Sequence, residues 1–195
     1  MLSSEINQGE IGTMKRKSNL RAMTYIALFA VLMAVCAWIS IPTIVPFTLQ
    51  TFAVFLALGL LGGKRGTLAV LVYLLIGAAG LPVFSHFGGG LGVLLGVTGG
   101  YLIGFLMSGL VYWLITHFAG RGVVASGIGM AAGLITCYAF GTAWFLVAYG
   151  KTVGPIGLSA ALGMCVVPFV IPDLVKIALA LFLSERLRPH LRIDG

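Results

Sequence analysis

Charged residues are scarce in this chain of 195 residues: 9% are charged, whereas 59% are hydrophobic. The mean hydropathy is +1.09. A soluble domain of this length exposes far more charge and has no core large enough for so much apolar surface. The composition therefore excludes a soluble globular protein and predicts an all-α membrane protein whose chain crosses the bilayer several times.

Acidic residues are the rarest charged type, and Asp173 is the only one between Glu10 and Glu185. It lies in the last long hydrophobic stretch, three residues before Lys176. An ionised side chain at membrane depth costs about 3 kcal/mol or more, so a functional role is the default hypothesis for such a residue. We therefore expect Asp173 and Lys176 to belong to a functional site.

Cysteine pairs and common catalytic motifs are missing as well. The three cysteines have no paired spacing, which argues against a disulfide framework or a zinc site. The sequence contains no HExxH pair, and neither Ser126 nor Ser159 lies in a nucleophile elbow. No Walker lysine follows the glycines, so we expect no nucleotide site. The cysteine spacing likewise predicts no metal site, and we expect no cofactor. An intramembrane enzyme that uses Asp173 and Lys176 stays an alternative without a supporting motif.

Long charge-free runs occupy residues 22–63, 66–120 and 122–150. Each run has room for one or more helices of about 20 residues, and glycines and prolines divide the runs further. The last predicted helix begins near Pro172, because a proline at the first helical position loses no hydrogen bond. A short helix is also predicted within 157–167. The six predicted transmembrane helices cover residues 22–41, 47–61, 67–79, 101–118, 123–149 and 172–187.

The basic residues indicate how these helices are oriented. Six spans place both termini on one side, and the positive-inside rule assigns that side to the cytoplasm. The net charge of +7 then reflects orientation and not a nucleic-acid-binding surface. The predicted domains are a flexible cytoplasmic N-terminal tail (1–20), a six-helix transmembrane substrate-binding domain (21–188) and a cytoplasmic C-terminal tail (189–195). The basic residues on the cytoplasmic side are Lys15, Arg16, Lys17, Arg21, Lys64, Arg65, Arg121, Arg186, Arg188 and Arg192.

A spacing of three residues puts Asp173 and Lys176 on one face of a helix, and Pro172 places them in its first turn at the outer end. The helix dipole there stabilises the carboxylate and destabilises the ammonium group. Lys176 therefore needs a partner, which is either Asp173 in a structural ion pair or an anionic ligand. We favour the ligand because a buried ion pair adds little net stability, but the structural pair stays open.

Two outward-facing segments carry side chains suited to the rest of a pocket. Residues 46–51 (PFTLQT) combine a rigid turn, an aromatic ring and hydrogen-bonding groups, and residues 80–101 are rich in glycine and aromatics. Irregular backbone at membrane depth is tolerated only where protein or a cavity satisfies it. The second segment suits a lid or wall over a small ligand, although a plain packed connector fits the composition equally well.

Small residues recur every four positions in the fourth and fifth predicted spans, within 100–108 and 129–141. Such a stripe lets neighbouring helices approach closely, so we interpret both as internal packing. Ala30 and Ala34 form a similar patch on the first span. This patch either packs internally or faces another subunit.

Four short segments follow one another in a recognisable order: PFTLQT at 46–51, GLPVF at 80–84, TGGYL at 98–102 and PDLVK at 172–176. Together they resemble BioY, the biotin-binding S component of energy-coupling factor (ECF) transporters. The resemblance extends over residues 21–188, with Val97 where the family usually has proline. It implies an ECF S-component-like bundle of six helices with a vitamin pocket near the outer surface.

The resemblance also implies which residues bind the ligand. Asp173 and Lys176 match the acid and base of the family's last-helix motif, which contribute to biotin binding. Biotin has ureido N–H donors that suit a carboxylate and a ureido carbonyl that suits an ammonium group. The residues that can add hydrogen bonds or pack on the biotin rings are Thr48, Gln50, Tyr101, His86, Phe47, Phe84, Phe87 and Trp144.

By the same resemblance, the chain is a high-affinity biotin-binding subunit of the bacterial cytoplasmic membrane. Its partners are an ECF T component and two cytoplasmic ATPases, and Ala30 and Ala34 form part of the docking face. Toppling of the loaded subunit in the bilayer delivers the ligand to the cytoplasm. Solitary or homo-oligomeric uptake stays open, as does an S component for another vitamin such as thiamine or riboflavin.

Overall fold

The structure is a computed structural model that describes residues 2–191, with side chains from Asn19 onward. About 80% of the protein is helical, as the sequence predicts. Two short 3-10 helices, Ser85–Phe87 and Arg188–His190, supplement the α-helices. The α-helices are α1 (Leu2–Trp38), α2 (Gln50–Leu61), α3 (Gly63–Ala78), α4 (Leu91–Leu95), α5 (Gly99–Ala119), α6 (Val123–Thr152), α7 (Leu158–Cys165) and α8 (Val167–Leu187).

Four helical segments of the described part are long and apolar enough to cross a bilayer. They are Asn19–Trp38, Gly99–Ala119, Val123–Thr152 and Val167–His190. The apolar helix α2 is shorter, with 12 residues, and α3 has 16. The prediction of a helical membrane protein is thus confirmed. The flexibility predicted for residues 1–20 stays a prediction, and the end of the predicted C-terminal tail, with Arg192, lies outside the described residues.

The second predicted span begins later than expected, because part of it forms a small antiparallel sheet. Strands β1 (Ser40–Ile41) and β2 (Phe47–Thr48) pair with Ser40 opposite Thr48 and Ile41 opposite Phe47. The prediction that Phe47 begins a helix was wrong. The hairpin brings the segment before α2 back against the end of α1, so that Leu49 N–H donates to Ile39 O at 3.3 Å.

The last helix also differs from its prediction, since α8 begins at Val167 and not near Pro172. Pro168 occupies the first turn, where its missing N–H donor is not needed. Pro172 lies inside the helix and removes a single internal hydrogen bond. Asp173 and Lys176 therefore lie in the second and third turns of α8, further from the helix end than the sequence suggested.

Helices α5 and α6 pack against each other more extensively than any other pair of helices in the described residues. The predicted small-residue stripes lie between them. A Cβ atom at Gly133 would approach the backbone oxygen of Ser108 to 3.1 Å, and one at Gly104 would approach Cys137 Sγ to 3.0 Å. The Ser108 hydroxyl also donates to Gly133 O at 2.7 Å. The interpretation of these stripes as internal packing is confirmed.

Ala30 and Ala34 lie in the packed face of α1, with 2% and 5% of their surface exposed. This face packs against α2 and α3. The placement differs from the docking face implied by the resemblance, because a buried methyl group offers little surface to a partner subunit. Their small size brings α1 close to its neighbours within the chain, and a part in docking stays an untested prediction.

Two arginines join three elements at the far end of α2. Arg188 donates to Gly59 O at 3.1 Å and to Arg121 O at 2.7 Å, while Arg121 donates to Leu60 O at 3.1 Å. Both arginines thus bind carbonyl groups at the carboxyl end of α2, where a cation also interacts favourably with the helix dipole. These contacts hold α2, α8 and the turn between α5 and α6 together.

We predict that Gly141→Ala destabilises the protein, because a Cβ atom there would overlap the ring of Tyr101. Overpacking of this kind costs about 1–3 kcal/mol, so the melting temperature in detergent should fall by several degrees. The matched control is Gly127→Ala on the same helix, where the added Cβ meets Leu181 at an ordinary 3.5 Å. Equal melting temperatures for the two variants would contradict the packing described here.

Candidate ligand-binding site

Lys176 and Asp173 form a buried ion pair on α8. The distance from Lys176 Nζ to Asp173 Oδ1 is 2.8 Å, and the residues are 6% and 3% exposed. Lys176 Nζ also donates to Thr48 O at 2.7 Å and lies 4.3 Å from the centre of the Phe47 ring. A carboxylate, a carbonyl dipole and the face of an aromatic ring thus stabilise the ammonium group together.

The β2 strand and the start of α2 position the next polar groups. Gln50 N–H donates to Thr48 Oγ1 at 3.2 Å, and Gln50 Nε2 donates to the hydroxyl of Tyr73 at 3.0 Å. That hydroxyl in turn donates to Val83 O at 3.0 Å. A chain of hydrogen bonds therefore links β2 and α2, through α3, to the segment that follows α3. This segment, residues 80–101, is called the glycine-rich segment.

Tyr138 of α6 is a polar site residue that the sequence analysis missed. Its hydroxyl donates to Asp173 Oδ2 at 2.6 Å, so the two carboxylate oxygens have different donors. Charge-assisted hydrogen bonds of this length are about twice as strong as neutral ones. The signal in the sequence was a tyrosine hydroxyl within the charge-free run 122–150, since a buried tyrosine hydroxyl usually has a partner.

These polar groups line a cavity of about 70 Å³, and the total empty space around it, which includes open solvent, is about 680 Å³. Of the predicted site residues, the cavity brings together Thr48, Gln50, Tyr101, Asp173 and Lys176. The lining residues that were not predicted to bind ligand include Ser85, Thr98, Cys137, Tyr138, Cys165 and Phe169.

The predicted aromatic residues are divided between the cavity and its surroundings. Phe47 stacks on the lining residue Phe169 with ring centres 5.7 Å apart. Phe84 is fully buried beside Gly77 and packs edge-on against Tyr73 at 5.5 Å, outside the residues that line the cavity. A ligand contact from Phe84 would require a different arrangement of this part of the chain.

His86 and Phe87 are exposed, and neither is among the lining residues. Both have left-handed backbone conformations, with φ of 55° and 57°. Phe87 instead packs against Trp38, with ring centres 5.3 Å apart. The structure therefore places Ser85, and not His86, at the cavity wall, and a ligand contact from His86 stays a prediction.

Two tryptophans donate hydrogen bonds to backbone carbonyl groups of the glycine-rich segment, one near each end. Trp38 Nε1 donates to Pro82 O and Trp144 Nε1 donates to Gly96 O, both at 2.9 Å. Ser85, Val93 and Thr98 of this segment line the cavity. The segment thus forms a wall of the cavity, and Trp144 contributes a bond to that wall.

The chemistry of the cavity is that of a binding site for a small molecule with polar and apolar parts. It offers carboxylate, hydroxyl and amide groups close to aromatic and aliphatic surface. Among the described residues, no group of three or more His, Cys, Asp and Glu side chains has the geometry of a metal site. The fold and the site together define a helical membrane protein that binds a small ligand.

The chain belongs to the BioY family, whose model matches residues 14–193. It is 44% identical over 174 residues to "Biotin transporter BioY" of Thermotoga maritima, an alignment that covers 87% of this chain and 96% of that protein. It is 39% identical over 169 residues to "Probable biotin transporter BioY" of Pyrococcus horikoshii, with coverage of 86% and 96%.

A solved structure has a similar fold. It is the S component for biotin from an ECF-type ABC transporter, and it superposes with a TM-score of 0.77 and 26% identity. The superposition covers 89% of this chain and 93% of that chain. The resemblance to BioY that the sequence motifs carry is confirmed.

We predict that Lys176→Met destabilises the ligand-free protein, because it leaves Asp173 with one protein donor and an uncompensated charge. Breaking a buried pair in this way costs about 3–5 kcal/mol, whereas replacing both charges together is often nearly neutral. The double variant Asp173→Asn/Lys176→Met should therefore recover most of the melting temperature that the single variant loses. Thermal unfolding in detergent checks this, and additive losses in the double variant would contradict it.

Proposed function

We propose that this chain is a membrane-embedded biotin-binding subunit that mediates biotin uptake. The observation that carries the proposal is the buried Asp173 and Lys176 pair at the wall of a cavity with polar and apolar lining, in a member of the BioY family. The relatives named as biotin transporters align along nearly their whole length. Family membership thus favours a substrate-binding transporter subunit over an enzyme.

The polar pair suits the ureido ring of biotin better than it suits the carboxylate. The ureido N–H groups can donate to Asp173, and the ureido carbonyl can accept from Lys176. A ligand carboxylate at the same place would meet the negative charge of Asp173, while Lys176 already binds Asp173 and Thr48. We therefore place the ureido ring at the pair, the thioether ring near Phe169, and the valerate chain further away.

The apolar part of the cavity supports this placement. Phe169, Phe105 and Leu134 line it together with Val93 and Leu102. Apolar surface of this kind suits a thioether ring and an alkyl chain, which gain affinity by leaving water. Tyr101 lines the same cavity, and its hydroxyl hydrogen bonds with that of Thr142 at 3.0 Å.

For the topology, we propose six spans with both termini in the cytoplasm of a bacterial cell. The four long segments would cross the membrane fully. The helices α2 and α3 have lengths of about 18 and 24 Å at 1.5 Å per residue, below the roughly 30 Å of the hydrocarbon core. They would cross as short helices, and β2 and the glycine-rich segment would occupy the rest of the membrane thickness. The distribution of basic residues supports the orientation.

For energy, we propose that the chain works with an ECF T component and two cytoplasmic ATPases. The support is the similarity to a solved S component of an ECF-type ABC transporter, together with a sequence that lacks a Walker motif. Uptake by a homo-oligomer without these partners is the competing arrangement, and the transport experiment below distinguishes the two.

We predict that the purified protein binds biotin and does not bind thiamine or riboflavin. Asp173→Asn and Lys176→Met should each weaken binding about 30-fold or more, because each removes one partner of a buried, hydrogen-bonded charge pair. Isothermal titration calorimetry in detergent measures the effect. The matched controls are Glu185→Gln, near the far end of α8, and Lys151→Met, at an exposed position. Undiminished binding by both site variants would assign the pair a structural role only.

We predict that uptake requires the energising module. In a host without its own biotin uptake, cells that produce the chain with an ECF T component and two ATPases should accumulate labelled biotin several-fold above background. An ATPase variant without its Walker lysine should return accumulation to background. Equal accumulation by the chain alone would support uptake by a solitary subunit or a homo-oligomer.

A further inference from the structure

Tyr138 holds the carboxylate of the ion pair from a different helix. Its hydroxyl donates to Asp173 Oδ2 at 2.6 Å, and Lys176 donates to Asp173 Oδ1 at 2.8 Å. All three side chains line the cavity. The orientation of the carboxylate is therefore determined by two donors, one on α6 and one on α8.

These two donors leave acceptor positions unused. An ionised carboxylate has about four lone-pair positions, and the two protein donors occupy one on each oxygen. Asp173 is 3% exposed, so bulk water has little access to the rest. A ligand in the cavity with N–H groups can donate to these remaining positions while both protein donors stay in place.

Tyr138 also restrains the rotation of the carboxylate. The terminal torsion of an aspartate is broad and has no strong intrinsic preference. Without a donor on Oδ2, the charge of Lys176 would attract both oxygens, and the carboxylate would turn towards it. The short hydrogen bond from Tyr138 opposes this rotation and keeps Oδ2 at a defined place in the cavity.

We propose that Tyr138 is a positioning residue that sets the selectivity of the site for ligands with ureido N–H donors. It acts through Asp173, whose carboxylate it holds in the orientation that accepts from the ligand. This inference rests on the proposed function, because it concerns how the same site recognises biotin. It assigns to α6 a part in recognition that the sequence motifs do not include.

Selectivity for ureido N–H donors arises from the acceptor positions that the Asp173 carboxylate leaves unused. A buried carboxylate that is held in one orientation loses a hydrogen bond whenever a ligand lacks the matching donor, and buried unpaired groups are penalised strongly. A biotin analogue that is methylated on a ureido nitrogen lacks one donor and adds volume at the same point. A carboxylate that is free to turn would discriminate less between biotin and this analogue.

The experiment compares the affinities of biotin and ureido-N-methylated biotin for wild type and Tyr138→Phe in detergent. Tyr138→Phe should weaken biotin binding about tenfold or more, as expected for the loss of a hydrogen bond to a charged group. It should also lower the affinity ratio of biotin to the methylated analogue. The matched control is Tyr149→Phe on the same helix, about 16 Å further along, where the ring packs on Phe145. This control should leave both affinities unchanged.

A second comparison tests whether Tyr138 acts through Asp173. In an Asp173→Asn background, removal of the Tyr138 hydroxyl should change the biotin affinity less than twofold, because the charged acceptor is already gone. Tyr138→Met is a second variant that lacks the hydroxyl and fills the space with a flexible apolar chain. It is measured in the same way, so that poor folding of one variant still leaves a result.

The outcomes separate the inference from the proposed function. Wild type that does not bind biotin overturns both. Wild type that binds biotin, with Tyr138→Phe within twofold of it, overturns the inference alone. A loss of equal size for biotin and the methylated analogue also overturns it, because such a loss reflects packing and not positioning of the carboxylate.

Discussion

The buried ion pair between Asp173 and Lys176 is the constraint on which the rest of the site depends. Two charges among hydrophobic helices are stable only when their hydrogen-bonding capacity is satisfied. The chain satisfies it with groups from three separate elements: the carbonyl of Thr48 on β2, the hydroxyl of Tyr138 on α6, and the pair itself on α8. A buried ion pair adds little net stability of its own, which favours the proposed role of this network in binding a small polar ligand.

Close packing elsewhere brings these three elements together. The glycine stripes between α5 and α6 bring Tyr101 and Tyr138 to the same cavity. The β1 and β2 hairpin turns Thr48 towards α8, and the start at Val167 gives α8 a full turn before Asp173. At the opposite end, the arginine contacts of Arg121 and Arg188 fix α2 relative to α8. These contacts hold the polar side chains of the candidate site in place, which reduces the ordering that ligand binding would require.

The sequence predicted the helical membrane fold, and it singled out Asp173 and Lys176, which line one cavity in the structure, because both depend on local signals. Hydrophobic runs mark spans, and a lone acid in an apolar stretch marks a polar site, so Asp173 and Lys176 were accessible to sequence reasoning. The hairpin at Phe47 was not, since two-residue strands carry almost no pattern. The start of α8 was mistaken because Pro168 and Pro172 both suit a first turn, and the sequence does not show which of them begins the helix. Tyr138 was missed because its partner Asp173 lies 35 residues away in the sequence. Phe84 and His86 were expected at the cavity but do not line it, because the order of motifs does not show which way a side chain points.

A structure of the protein with biotin bound would show directly whether the Asp173 and Lys176 pair recognises the ureido ring. In this complex we expect a ureido nitrogen within about 2.7–3.2 Å of an Asp173 oxygen, with the ureido carbonyl facing Lys176 and the valerate carboxylate distant from the pair. A complex in which biotin lies outside this cavity would contradict the account. So would a complex in which its carboxylate displaces Asp173 from Lys176, because the ion pair would then serve as an anion site and not as a centre for ureido recognition.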